Sequence, residues 1–390
     1  MKKLLALGLL TTFTFGFIVS PSYAIMEKTK KEKQPTTEIL EYTNFDYWKK
    51  ANDEYLEGYI VRAINHNNDI KTAALNIEQA KLSVMQTRAG QLPTVAMGGA
   101  PFLTKTPGTT KSDGSFALPI IAQYELDIFG KNWDKTKASK KLLQGAIYQT
   151  QASDIAVISM VAATYYNIVK LDKIIEVQQK LVQDRKKIYN LMKLSNEEGI
   201  VSTSDLILAD KAYVLSQNDL LDYEKARQNA LNALAVLVGD SANNVGEYKR
   251  ISYDKLSTSF NVPEEISSEI IVNRPDYKSV EKQLESAGIN IRVAKKEFLP
   301  TFNILGLLAF VASSSMGGMS WKNTFSLLGA SADLPIFTGL VRVANLKINK
   351  NKNEQLLQKY QKTNLTAIQE VNDSLYNYKT DNEKLKNNVK

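Results

Sequence analysis

Tyr124-Glu-Leu-Asp-Ile-Phe-Gly-Lys131 is the stretch where a strand hands over to a helix. Phe116 to Leu126 has the composition of a β-strand, and after Lys131 no proline interrupts the chain for well over fifty residues. The helix is expected to run to about Ser195. Its residues Ile155, Ile158, Ala162, Tyr165 and Val169 step alternately by three and four, the spacing of a coiled-coil seam. At 1.5 Å per residue such a helix is about 100 Å long. Asn196-Glu-Glu-Gly-Ile-Val-Ser-Thr-Ser-Asp205 reads as a reversal: Gly199 suits the left-handed end of a helix, and Ser202 or Ser204 can cap the next one. That next helix continues the seam with Leu206, Ala209, Tyr213, Ser216, Leu220 and Tyr223 and reaches Leu237-Val-Gly239.

N-terminal to this handover, Val95 to about Thr104 and Phe116 to Leu126 form a predicted hairpin around a polar loop. Each arm has about ten residues, the length a tilted strand needs to cross a bilayer. Before the hairpin, Leu56, Ile60, Ala63, Ile64, Ile70, Ala74, Ile77 and Leu82 predict one helix with a buried face, continuous from Tyr47 until Gln91-Leu-Pro-Thr94 stops it.

The second half copies the first. Asp69, Glu78, Ala80, Pro93 and Thr94 match Asp276, Glu285, Ala287, Pro300 and Thr301 at a constant shift of 207. Leu126, Ile128 and Phe129 match Leu334, Ile336 and Phe337 at 208, where Ala332-Asp-Leu-Pro-Ile-Phe-Thr-Gly339 repeats the handover. Pro93, Thr94, Pro300 and Thr301 therefore mark passages from helix to strand, and Phe129, Gly130, Phe337 and Gly339 the passages back. In the second hairpin Phe302, Ile304, Gly306, Leu308 and Phe310 alternate onto one face, with Trp321, Phe325 and Leu327 following on the returning arm. Apolar outward positions with aromatic ends suit a membrane barrel, although a buried soluble hairpin alternates the same way. The lipid-facing candidates are Phe302, Ile304, Leu308, Phe310, Trp321 and Phe325. Four strands cannot close a barrel and open edges are not tolerated in lipid, so several chains must share one.

The expected organisation is a signal peptide over 1–24, a polar lead-in over 25–44 and a first repeat over 45–239, with its hairpin at 94–126 and its helical hairpin at 131–239. A connecting segment over 240–262 leads to a second repeat over 263–390, with hairpin 301–334 and long helix 339–390. Lys2-Lys3, the apolar run Leu4 to Val19 and Ser22-Tyr23-Ala24 carry the signal, with cleavage expected after Ala24; a retained anchor is the alternative. No later apolar run reaches about eighteen residues, so an exported chain without a membrane helix is expected.

With no cysteine there is no thiolate nucleophile and no cysteine metal site, and the one histidine, His66, sits in a polar run, which argues against a histidine triad or a zinc site. No cofactor and no metal are expected. The net charge of +8 is spread out, without an arginine-rich helix, which argues against nucleic acid as a partner. Paired carboxylates such as Glu197-Glu198 sit in a charged turn, where acids are ordinarily just solvated.

Taken together, these residues resemble the outer-membrane efflux protein family of the TolC, OprM and NodT type. Trp48, Leu56, Ala63, Asn67-Asn-Asp-Ile70, Ala74 and Gln79-Ala80 are similar to its opening, and Glu125-Leu-Asp-Ile-Phe-Gly130 to its strand-to-helix signature. Gly199, Ser202 and Asp205-Leu206 resemble its helix-tip turn, and Arg274-Pro-Asp276 and Pro335-Ile-Phe337 its second-half marks. The resemblance implies a mainly α fold with a β-barrel part. Helical hairpins would form an α-barrel tunnel in the periplasm, and four strands from each of three protomers a twelve-stranded outer-membrane barrel. It implies a homotrimer, a periplasmic adaptor and an inner-membrane pump as partners, lipid around the barrel, and Gly199, Ile200, Val201 and Ser202 as the adaptor contact. Absence of cysteine implies absence of the lipid anchor that many OprM-like members carry. The function implied is passive export, of small molecules or through a type I secretion system, with no enzymatic step. Moving Gly199 by the repeat offset puts a second tip turn at about 406–408, past Lys390, so the returning helix is expected to be missing and no gate residue is assigned. On that reading the chain is a fragment or relic of a channel, poorly competent by itself. A periplasmic coiled-coil adaptor or scaffold is the rival from another class.

Overall fold

The computed structural model describes residues 39, 42–43, 45–105, 112–256, 268–313 and 324–388. The signal segment, most of the lead-in, and Trp321 lie outside the described residues. The elements in chain order are α1 (Phe45–Lys49), α2 (Glu54–His66), α3 (Asn68–Ala89), β1 (Thr94–Met97), β2 (Ala100–Lys105), β3 (Ser112–Leu126), α4 (Lys131–Glu197) and α5 (Thr203–Leu237). After two short 3-10 turns come α6 (Ser268–Val272), α7 (Pro275–Lys296), β4 (Thr301–Ser313), β5 (Thr324–Asp333) and α8 (Val341–Asn388). The repeat is explicit: α3 and α7 both have 22 residues, and β4 opens at the same offset from β1 as α7 from α3.

The single helix expected from Tyr47 to Pro93 is three helices, because two side chains interrupt it. Asp53 caps α2, accepting from Tyr55 N at 3.0 Å and Leu56 N at 3.2 Å. Asn67 takes an extended backbone, accepts from Asp69 N at 2.8 Å and Ile70 N at 3.1 Å, and so starts α3. A capping side chain inside a polar run gives the backbone an alternative to the helical ladder, and periodicity alone does not register it. His66 is the exposed last residue of α2.

The chain divides into two compact units. One, Pro35–Gln79 with Gly145–Val280 and Lys362–Lys390, is helical. Its core packs Leu56, Ile60 and Ala63 of α2 against Ile158, Val161, Tyr165 and Ile168 of α4 and Leu231, Leu234 and Ala235 of α5. One window of α4 is long and apolar enough to cross a membrane by composition, but its Val157, Ile158, Val161, Ala162, Ile168 and Val169 face this core. Beyond the core the seam continues with half-buried Tyr213 and Leu220 and buried Ser216, whose carbonyl accepts from Gln178 Nε2 at 2.9 Å. Arg274 holds both carboxylate oxygens of Asp276, at 3.0 and 2.8 Å, and reaches Glu370 of α8 at 2.8 Å.

Asp154 of α4 is wholly buried in this unit; Tyr42 Oη donates to its Oδ2, and its Oδ1 has no hydrogen-bond partner. Burial pushes this carboxyl up to about 6, against the opposing Tyr42 hydrogen bond. A folded pKa above the ordinary 3.8 means that the unfolded chain loses this proton first. The contribution is complete below about pH 4, is lost as pH rises to about 6, and totals roughly 2–3 kcal/mol. Asp154→Asn should therefore be more stable than the parent at pH 7 and equal to it near pH 4. Thermal unfolding at both pH values checks this, and an equal difference at the two would refute it.

The other described unit, Ala80–Gln144 with Glu281–Gln361, holds the sheet. The order is β1/β2–β3–β4–β5, antiparallel throughout. β1 and β2 are one arm in one register, since Met97 pairs with Ile120 and Ala100 with Ala117. The ladder breaks opposite Pro119, which has no N–H to donate, while its carbonyl still accepts from Gly98 N at 2.9 Å. The four arms expected from the sequence are thus present.

Candidate functional site

The handover at Asp127 is built by the carboxylate in the middle of the motif. Asp127 Oδ1 accepts from Asn132 N at 3.0 Å and Oδ2 from Trp133 N at 2.8 Å, which satisfies two free donors at the start of α4. Gly130 turns with φ of +65°, a conformation glycine adopts without steric cost. From α7, Lys296 Nζ donates to Gly130 O at 3.0 Å and pairs with Asp134 at 2.7 Å, with Arg292 at 3.6 Å. Burial works to raise the Asp134 carboxyl, and Lys296 and Arg292 outweigh it, holding it below its ordinary value. Gln91 Nε2 donates to Thr136 Oγ1 at 2.8 Å, which ties the chain just before Pro93 to α4. Pro93 precedes β1 and Pro300 precedes β4, so Thr94 and Thr301 are the first residues of their strands.

The second handover is built differently. At the repeat offset Asp127 corresponds to Pro335, so the carboxylate cap is lost. Gly339 and Leu340 both take positive φ, +59° and +67°, before α8 starts. Phe129 lies with its ring 6.3 Å from that of Phe302, whereas Phe337 is 82% exposed.

Register sorts the sheet into two faces, because residues directly opposite in an antiparallel pair point the same way. Phe302, Ile304, Leu308 and Phe310 pair with Leu126, Tyr124, Ile120 and Leu118 of β3. Val95, Met97 and Leu328 share that face. Phe325 pairs with Ala309 and therefore lies on the opposite face from the other candidates, with Leu327, Thr94, Gln123, Glu125, Asn303 and Ser331. The expectation that grouped Phe325 with Phe302 is corrected by this register, which a sequence alternation broken by a loop does not fix. Trp321 lies outside the described residues.

In the helical unit, the reversal has the expected parts. Gly199 has φ of +70°, and Ile200 N donates to Ser195 O at 2.8 Å, closing α4. Ser202, not Ser204, caps α5: Asp205 N donates to Ser202 Oγ at 3.1 Å and Ser202 N to Asp205 Oδ2 at 3.4 Å, a reciprocal box. Asn196 Nδ2 donates to Val201 O at 2.9 Å, locking the turn from inside. Ile200 is 75% exposed at the turn, beside half-buried Val201. The turn is held by these hydrogen bonds and presents an apolar side chain, Ile200, at its tip.

The sequence reading left out Asp53, Asn67, Asp127 and Lys296 as positioning residues. Asp53, Asn67 and Asp127 share one signal, a polar side chain one to three residues before a helix start or a glycine turn; Lys296, the last residue of α7, does not carry it.

A model described as outer membrane efflux protein matches residues 59–240 and 266–388. The chain is 26% identical to the probable efflux pump outer membrane protein TtgC of Pseudomonas putida, over 87% of this chain and 71% of that one. It is 24% identical to the toxin and drug export protein A of Aggregatibacter actinomycetemcomitans, over 97% of this chain and 82% of that one. Its fold is similar to the crystal structure of the CmeC outer membrane channel of Campylobacter jejuni, with a TM-score of 0.80 and 26% identity, covering 87% of this chain and 74% of that one.

Proposed function

This chain belongs to the outer membrane efflux protein family, and from that premise we propose that it is the exit duct of a tripartite efflux system. Three copies share one barrel of twelve arms in the outer membrane, and the helices continue as a periplasmic tunnel. The observation that carries this reading is the sheet: four antiparallel arms with an apolar face and, among the described residues, two free edges, at β1/β2 and at β5. An edge in lipid leaves a row of unpaired backbone groups, which joining other copies removes. A periplasmic scaffold would have no use for such a sheet.

Phe302, Ile304, Leu308 and Phe310 face lipid, and the face with Glu125, Asn303 and Phe325 faces the lumen. Ile200 and Val201, set by Gly199 and Ser202, meet a periplasmic adaptor that couples the duct to an inner-membrane pump. The cargo is small molecules, which the likeness to an efflux-pump component supports; a protein-secretion duct differs in the pump attached. The protein does no chemistry on what passes.

One experiment tests both the barrel and the tip. Carbonate should leave the protein in the outer-membrane fraction, and mild detergent should release it as trimers. Ile200→Asp changes an exposed position and should leave extraction and trimers unchanged, while abolishing drug export in cells. Release by carbonate would sink the barrel, and full export by the variant would remove the tip from the adaptor contact.

A further inference from the structure

The end of β5 leads into an apolar segment that is open to solvent in a single copy. Ile336 is 93% exposed and Phe337 82% exposed, between Asp333 and the start of α8. Where β3 hands over to α4 lies an open groove of about 580 Å³, lined by Gln91, Tyr124, Ile128, Phe129 and Trp133 among others. Its lining comes from the segment just before β1, from β3 and from the handover into α4, with no residue of β4 or β5. Trp133 and Ile128 are themselves exposed there.

Register relates the two features. β5 ends at Asp333 opposite Thr301, where β4 begins. β1 begins at Thr94 opposite Gln123, and Leu126 of β3 pairs with Phe302, so the start of β1, the end of β3, the start of β4 and the end of β5 all lie at the same end of the strands. Joining copies edge to edge in the same antiparallel sense sets β5 of one beside β1 of the next. The residues just after Asp333 in one copy then adjoin those just before Thr94 in its neighbour.

We infer that Ile336 and Phe337 of each copy seat in the groove between Gln91 and Trp133 of the next copy, an apolar plug where barrel gives way to helices. This rests on the shared-barrel reading. It accounts for the contrast between the two halves of the repeat: Phe129 lies against Phe302 of its own chain, and its counterpart Phe337 serves the neighbouring one. Aromatic side chains supply a large contact at small entropic cost, which suits a plug.

The chain has no cysteine, so any disulfide must come from introduced residues. Gln91→Cys combined with Phe337→Cys, and Trp133→Cys combined with Ile336→Cys, should on mild oxidation shift most of the protein into covalent dimers and trimers. Each single variant should give none. Radical footprinting of the unmodified protein needs no variant to fold: Phe337 and Trp133 should be oxidised several-fold more slowly in the trimer than in separated chains. Trimers with no cross-link from either pair and no footprint protection would overturn the inference and leave the shared barrel standing. Unmodified protein that forms no trimer would overturn both.

Discussion

Gly239→Ala should cost the helical unit about 4 kcal/mol, while Gly199→Ala, with almost the same backbone angle, should cost only about 1 kcal/mol. Gly239 has φ of +71° and Gly199 φ of +70°. The left-handed strain of a β-carbon is therefore common to both. The surroundings differ. A β-carbon at Gly199 would meet nothing within 4 Å, whereas one at Gly239 would stand 2.5 Å from His66 O and 2.7 Å from His66 C. Those are backbone atoms, so no rotamer change relieves the overlap. The end of α2 cannot retreat cheaply either, since Asn67 Nδ2 donates to Leu237 O at 2.8 Å and Arg62 pairs with Asp240 at 2.6 Å. Thermal unfolding followed by helical circular dichroism should show a fall of roughly 8–16 °C for Gly239→Ala, at about 2–4 °C per kcal/mol for a unit of this size. Equal losses at the two glycines would mean that strain alone matters and that the approach of α2 to the end of α5 is not tight.

Gly239 also shows where sequence reasoning stops. Its place at the end of a helical pattern is legible, as is that of Gly199, because both punctuate periodic runs. The difference between an open turn and a helix end pressed on another helix depends on residues 173 positions apart, His66 and Gly239. The handover at Gly130 was readable for the same reason as the tip, a glycine closing one pattern as another opens. The role of Asp127 inside that motif was not, since any loop carboxylate looks alike until the donors it meets are known. The alternation in β4 fixed a face unaided. Phe325 escaped because its parity relative to β4 is set by the connection over 314–323, not by any local pattern. The break at Asn67 was hidden by its setting: Asn65-His-Asn-Asn68 reads as an exposed helical surface, and one of its amides is the cap. Sequence periodicity reports burial of apolar side chains and is silent on polar side chains buried to satisfy the backbone.

Asp53→Ala should cost about 3–4 kcal/mol and Tyr165→Phe about 2–3 kcal/mol, with the double variant costing less than their sum by about 1–2 kcal/mol. Asp53 is 3% exposed and satisfies the first turn of α2 through Oδ1. Its Oδ2 accepts from Tyr165 Oη at 2.6 Å, and that hydroxyl accepts from Ile251 N at 3.0 Å. Tyr165 is wholly buried, and burial, with Asp53 acting in the same direction, holds its hydroxyl well above the ordinary tyrosine range. The hydroxyl proton therefore stays in place at every pH the cell meets and stays committed to Asp53. Removing the carboxylate exposes two costs at once, the lost cap and a buried hydroxyl without an acceptor. Removing the hydroxyl leaves one carboxylate oxygen and the Ile251 N–H unpaired. Removing both spares the second penalty, which is the source of the shortfall. Asp53→Asn refines the test, because its amide keeps the capping oxygen but turns a donor toward Tyr165, whose own proton then has no acceptor. It should retain the cap and still lose about 2 kcal/mol. Full additivity in the double variant would show that Asp53 and Tyr165 act separately. Coupling would show that one hydrogen-bonded chain fastens α2, α4 and the segment before Ser252 together.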